Sequence, residues 1–109
     1  MNLEERIIDS IQKVKGKDIV IYDLKERSPF FDMIVVASCD SERQASAFLT
    51  YLKGHEDEGV KIKGVEGEDS PWVLVDLGSA IVSVFTPFER ERIEIDKLYS
   101  DYPSKKIDD

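Results

Sequence analysis

Few side chains in this sequence belong to the types that make or break bonds, and their spacing does little to bring them together. There is one cysteine, Cys39, and one histidine, His55. A thiol and an imidazole act as nucleophile and base only when a third group orients them, and neither residue has such a neighbour in sequence. A small half-buried thiol and a surface imidazole is the plainer reading, and two such residues make a poor metal set. Glu66, Glu68 and Asp69 have the type and spacing of carboxylates that hold metal ions during nucleotidyl transfer. They fall in a stretch punctuated by Gly64, Gly67 and Pro71, with no Gly-Ser phosphate cradle beside them and no pair of aspartates ending a strand. A solvated acidic loop fits better. The expectation is therefore no catalytic residue, no metal and no cofactor.

The pattern with most to say concerns recognition. Trp72 to Leu77 and Ala80 to Phe85 read as two strands joined through Gly78-Ser79, a two-residue turn with Gly first, as tight hairpins use. That register sets Val73 opposite Val84, Val75 opposite Val82 and Leu77 opposite Ala80, so one face is wholly apolar and must be core. The other face sets Trp72 opposite Phe85, Leu74 opposite Ser83 and Asp76 opposite Ile81. Two aromatics, two aliphatics, a hydroxyl and a carboxylate make the mixture typical of a protein-docking face. Trp72, Leu74, Asp76, Ile81, Ser83 and Phe85 are the candidate partner-binding residues. If a helix covered this face, Trp72 would instead be core.

Other elements must hold this hairpin. The spacing of Leu3, Ile7, Ile8, Ile11 and Val14 predicts a helix from Asn2 to Lys15, with Asn2 and Glu5 as a capping box and Gly16 ending it. Asp18 to Leu24 reads as a strand. The connection Lys25 to Phe31 is too short for a crossover helix, so the next strand, Asp32 to Ser38, should run antiparallel to it. Its apolar run suggests a central position. Ser41 and Gln44 open a second helix reaching His55, with Ala45, Phe48, Leu49 and Leu52 as its buried stripe. Val60 to Lys63 is a candidate edge strand reached by a parallel crossover. Pro87 opens a last helix running from Phe88 to Tyr102, with Phe88, Ile95, Leu98, Tyr99 and Tyr102 on one side, and Pro103 ends it. The single apolar stripes favour all three helices on one sheet face. The fold class is thus α/β, a mixed sheet of about five strands with three main helices. Residues 1–103 form a single domain and residues 104–109 a flexible tail.

The length of 109 residues suits one domain. Fifteen Lys and Arg against 23 Asp and Glu leave a net charge of −8, which disfavours direct nucleic-acid binding and favours a basic protein partner. The exposed hairpin face has no Arg or Lys to follow a phosphate backbone. No apolar run approaches a membrane span, the first residues do not resemble a secretory signal, and a lone cysteine suits a reducing, cytoplasmic setting.

The segments Asp18 to Leu24, Phe31 to Ser38, Asp40 to Gln44, Gly64 to Gly67, Trp72 to Gly78, Val82 to Phe85 and Glu89-Arg90-Glu91-Arg92 through Tyr99, in that order, resemble the Iojap or ribosomal silencing factor family along nearly the whole chain. That resemblance implies a nucleotidyltransferase-like topology without the activity. It implies docking on the large ribosomal subunit, on ribosomal protein L-fourteen, so that the small subunit cannot join and translation is repressed. The family pattern departs at Ser83, where a histidine is frequent, at Ser38, where glycine is expected, and at Leu77, where an aromatic is expected. Two other readings remain open: a regulatory homodimer that pairs through the same face, and a degenerate nucleotidyltransferase-like enzyme.

Overall fold

The computed structural model describes residues 1–108. Its elements are α1 (Leu3–Lys13), β1 (Lys17–Asp23), β2 (Met33–Ser38), α2 (Glu42–Lys53), β3 (Gly64–Glu66), β4 (Trp72–Asp76), β5 (Ala80–Phe85), α3 (Pro87–Ile93), α4 (Ile95–Leu98) and β6 (Ser104–Lys106). They build one six-stranded sheet in the order β3-β4-β5-β2-β1-β6. Only β2 and β5 pair in parallel; β1–β2, β1–β6, β3–β4 and β4–β5 are antiparallel. The central strand β2 is buried at all but its first residue, as its apolar run requires.

The first face of the sheet carries the larger core. The capping box is formed as expected, with Glu5 N donating to Asn2 Oδ1 at 2.8 Å and Asn2 N donating to Glu5 Oε1 at 2.9 Å. Helices α1 and α2 lay Ile7, Ile11, Ala45, Phe48, Leu49 and Leu52 over Val35, Val73, Val75, Val82 and Val84. The hairpin register is the one its alternation dictates: Trp72 pairs with Phe85, Val73 with Val84, Leu74 with Ser83, Val75 with Val82 and Asp76 with Ile81.

Five expectations need correction. The sheet has six strands, not about five. The sixth comes from residues expected to form a flexible tail: Ser104, Lys105 and Lys106 pair with Tyr22, Ile21 and Val20. Ile107 then packs against the first core, which gives this polar strand an apolar tether. Val60 to Lys63 is not a strand. Val60 is buried, but these residues run past the end of β4, so pairing starts only where Lys63 N reaches Asp76 O at 2.8 Å and Gly64 faces Asp76. The resulting β3 does run in the same direction as β2, with β5 and β4 between them.

The last helix is broken. Glu94 adopts a left-handed conformation, φ 56° and ψ 40°, and separates α3 from α4. The turn redirects the chain, so Phe88 and Leu98 point to solvent at 78% and 68% exposure instead of sharing a stripe with Ile95. It also carries the C-terminal segment onto the second face, so the three helices do not share one side. There Ile95, Tyr99 and Tyr102 pack on Val20, Tyr22, Ile34, Val36 and Phe85.

Neighbouring residues of β4 should therefore tolerate charge very differently. Val75 is fully buried, and Val75→Asp should abolish cooperative thermal unfolding, because an unpaired buried charge costs several kcal/mol out of a typical ~5–15 kcal/mol of stability. Leu74, next to it on the other face, is only half-buried. Leu74→Asp should melt cooperatively, with a loss of about 1 kcal/mol. Circular dichroism melts of the two variants check both.

Candidate functional site

The sheet register lays out the second face as three rows. One row runs Glu66, Leu74, Ser83, Val36, Val20, Lys106; the next runs Gly64, Asp76, Ile81, Ile34, Tyr22, Ser104; the third holds Trp72, Phe85 and Ser38. Burial divides these rows sharply. Val20, Tyr22, Ile34, Val36 and Ser38 are buried, whereas Trp72, Leu74, Asp76 and Ile81 are half-buried and Glu66 is exposed. The C-terminal segment therefore covers the β1–β2 half and leaves the β3–β4–β5 half only partly covered, with Ser83 and Phe85 buried and Leu74, Asp76 and Ile81 half-buried.

What holds the cover in place is one arginine. Arg90 donates from Nε to Asp96 Oδ2 at 2.8 Å and from Nη2 to Asp96 Oδ1 at 3.1 Å. Its Nη1 reaches Asp18 O at 2.7 Å and Ser38 Oγ at 3.0 Å. Tyr22 adds its hydroxyl, donating to Asp96 Oδ1 at 2.5 Å. Burial alone would raise the Asp96 carboxyl pKa, but the bonds from Arg90 and Tyr22 outweigh it and hold the group below its ordinary value. Burial and the Asp96 contact push the Tyr22 phenol upward. Tyr22, Tyr99 and Tyr102 follow with centroids 5.5 and 5.6 Å apart, and Arg27 lies 4.9 Å over the Tyr102 ring. The spacing of Arg90 and Asp96 fits no single helix face, so the sequence alone gave no signal for this network.

On the open half the six candidate residues are brought together but are not equally accessible. Phe85 is fully buried and Ser83 is 3% exposed, so neither offers much surface to a partner. They form the support of Trp72 instead: its ring stacks on Phe85 at 4.9 Å and 25°, and its Nε1 donates to Ser83 Oγ at 3.2 Å. The approach loop fixes the same residue from the other side. Gly67 has φ +76°, and a Cβ there would stand 2.0 Å from Trp72 O. Ser70 Oγ sits 2.6 Å from Gly67 O and 2.9 Å from Trp72 O. Asp76 Oδ1 accepts from Gly78 N at 2.8 Å, which closes the hairpin turn and leaves Oδ2 with no hydrogen-bond partner among the described residues. The outcome is a braced, partly open tryptophan with Leu74 beside it, Asp76 and Ile81 farther along the same face, and a carboxylate at Glu66.

The residues of catalytic type are placed elsewhere. Cys39 is fully buried, and burial together with Asp40 pushes its thiol up to about 11, away from the thiolate a nucleophile needs. His55 braces α1 against the end of α2, with Nδ1 2.9 Å from Glu58 Oε1 and Nε2 3.2 Å from Asp9 Oδ2. Among the described residues no three of His, Cys, Asp and Glu gather as a metal site would require, and Glu66, Glu68 and Asp69 are exposed. A cleft of about 960 Å³ between β1 and the α3–α4 corner is lined by Arg90 and Asp96 among others, and these two are already bonded to each other. None of the described helices is long and apolar enough to cross a membrane.

The family described as ribosomal silencing factor during starvation matches residues 2–109. A Chromobacterium violaceum protein named as a ribosomal silencing factor is 36% identical over 94 residues, 84% of this chain and 77% of its own. A crystal structure of a protein from the same organism superposes with a TM-score of 0.82 at 32% identity, over 100% of this chain and 95% of that one. A mouse protein named for mitochondrial assembly of the ribosomal large subunit is 27% identical over 88% of this chain and 44% of its own length.

The Arg90 network yields a pH signature. Because the folded Asp96 titrates below its ordinary value of 3.8, its contribution to stability is complete above that value and is lost as pH falls through the lower folded value. Arg90→Gln should cost about 1–3 kcal/mol at neutral pH, discounted because the Asp96 side chain is 41% exposed. The gap to wild type should narrow as pH falls below about 4, while the share due to the Asp18 carbonyl and Ser38 hydroxyl persists. Urea unfolding at stepped pH measures it.

Proposed function

We propose that this chain, which belongs to the ribosomal silencing factor family, docks on the large ribosomal subunit through the open half of its sheet and keeps the small subunit from joining. It acts by occupying space, with no bond made or broken. The observation that carries this reading is Trp72, braced on buried Phe85 and Ser83 yet left half-open beside Leu74, Ile81 and Asp76. The name of the mouse relative supports the large subunit as the partner. A basic ribosomal protein surface, of the kind the family resemblance assigns to L-fourteen, suits a face fringed by Glu66 and Asp76 on a chain of net charge −8. Asp76 Oδ2 is placed to accept a charge-assisted hydrogen bond there.

Magnitudes restrict how much Trp72 does alone. A tryptophan buries ~150–250 Å² in full, and most of the Trp72 surface is already covered here. The remainder is worth a gross ~2 kcal/mol at most at ~25 cal/mol/Å², whereas micromolar docking needs about 8 kcal/mol after association costs. Leu74, Ile81 and the fringe must share the load.

Co-sedimentation with separated ribosomal subunits tests the reading. Wild-type protein should pellet with the large subunit only, and raised salt should weaken the complex modestly, as protein docking does, and not with the steep slope of phosphate contacts. Leu74→Asp should reduce binding by roughly 100-fold, since it sets an unpaired carboxylate in a closed interface. Absence of binding to either subunit at micromolar concentration, or binding to the small subunit, would overturn the proposal.

A further inference from the structure

We infer that Phe30 is a second aromatic anchor in the same docking footprint, an inference that rests on the large-subunit reading above. Phe30 is 78% exposed, yet its loop is built, not loose. Arg27 N and Ser28 N both donate to Leu24 O, at 3.0 and 2.9 Å. Ser28 Oγ then accepts from Phe30 N at 3.2 Å and Phe31 N at 3.1 Å, and Pro29 fixes its own φ between them. The next residue, Phe31, packs into the second-face cluster with Ile81 and Trp72. Asp32 N donates to Ser79 O at 2.7 Å, which ties the loop to the hairpin turn at the Ile81 end of the open half. The loop thus turns one phenylalanine inward and holds the adjacent one out, at the rim of the face where Trp72 stands at the other end.

A rigidly held aromatic loses little conformational freedom when a partner covers it, and the same rim carries the partner's electrostatic cue in Asp76. The occupant is the basic, apolar-centred protein surface already assigned to the large subunit. The area Phe30 contributes helps to fill the deficit left by the half-buried Trp72.

Binding of purified large subunits to wild type, Phe30→Ser, Leu74→Asp and Tyr51→Ala tests the inference, with thermal melts and sedimentation of each free protein alongside. Tyr51 is 45% exposed on α2, against the opposite face, and serves as the control. Phe30→Ser should bind about 10- to 100-fold more weakly, with an unchanged melting temperature, while Tyr51→Ala binds normally. Weak binding by Leu74→Asp with full binding by Phe30→Ser would overturn the Phe30 inference and leave the hairpin reading standing. Full binding by Leu74→Asp would overturn the hairpin reading itself. Equal losses in Phe30→Ser and Tyr51→Ala would reduce the effect to general stickiness, and a dimer-to-monomer change in free Phe30→Ser would assign the residue to self-association; either result contradicts the inference.

Discussion

The guanidinium of Arg90 grips both oxygens of Asp96 and, through Nη1, the Asp18 carbonyl and the Ser38 hydroxyl. The shape of the second face follows from that grip. A helix that continued straight past Ile93 could not return Asp96 to Arg90; the left-handed residue Glu94 makes the return possible at a backbone cost of about 1–2 kcal/mol, which the fork offsets. Once turned, the chain has Ile95, Tyr99 and Tyr102 to spend on the β1–β2 half and then leaves as β6 along the outer edge of β1. On this face the covering segment leaves Leu74 and Asp76 of β4 only half-buried and Glu66 of β3 exposed. The open half is the consequence of where the covering segment is anchored.

That geometry separates two roles the sequence pattern merges. Trp72, Leu74, Asp76, Ile81, Ser83 and Phe85 occupy one face, but Ser83 and Phe85 lie beneath Trp72. In the proposed docking, the deeper pair gives rigidity and the outer four are the contact residues. Under the proposed steric mechanism, rigidity counts twice. It lowers the entropy lost on docking, and it fixes the orientation of the whole domain so that its bulk blocks what should arrive next.

Much of this was legible in the sequence, for reasons that can be stated. The hairpin register follows from strict alternation around Gly78-Ser79, and the valines it sends inward are all buried. Both N-terminal helix caps follow from short-range Asn–Glu and Ser–Gln spacing. What escaped depends on partners distant in the chain. Ser104–Lys106 has no strand-like composition and pairs because β1 presents an open edge and Ile107 finds the core. The helix break at Glu94 answers to Tyr22, Ser38 and Asp18, far away in sequence, and the burial of Phe85 follows from that break. Local pattern fixes which face a side chain takes; whether anything covers that face is decided by tertiary contacts.

Hydroxyl-radical footprinting of the chain, free and bound to the large ribosomal subunit, tests the central claim most directly, because the single tryptophan reports on one site and is among the most readily oxidised side chains. Oxidation of Trp72 and Leu74 should fall several-fold in the complex while that of Tyr51 stays constant. Unchanged oxidation of Trp72 in a demonstrably bound protein would contradict the account and move the docking face elsewhere on the domain.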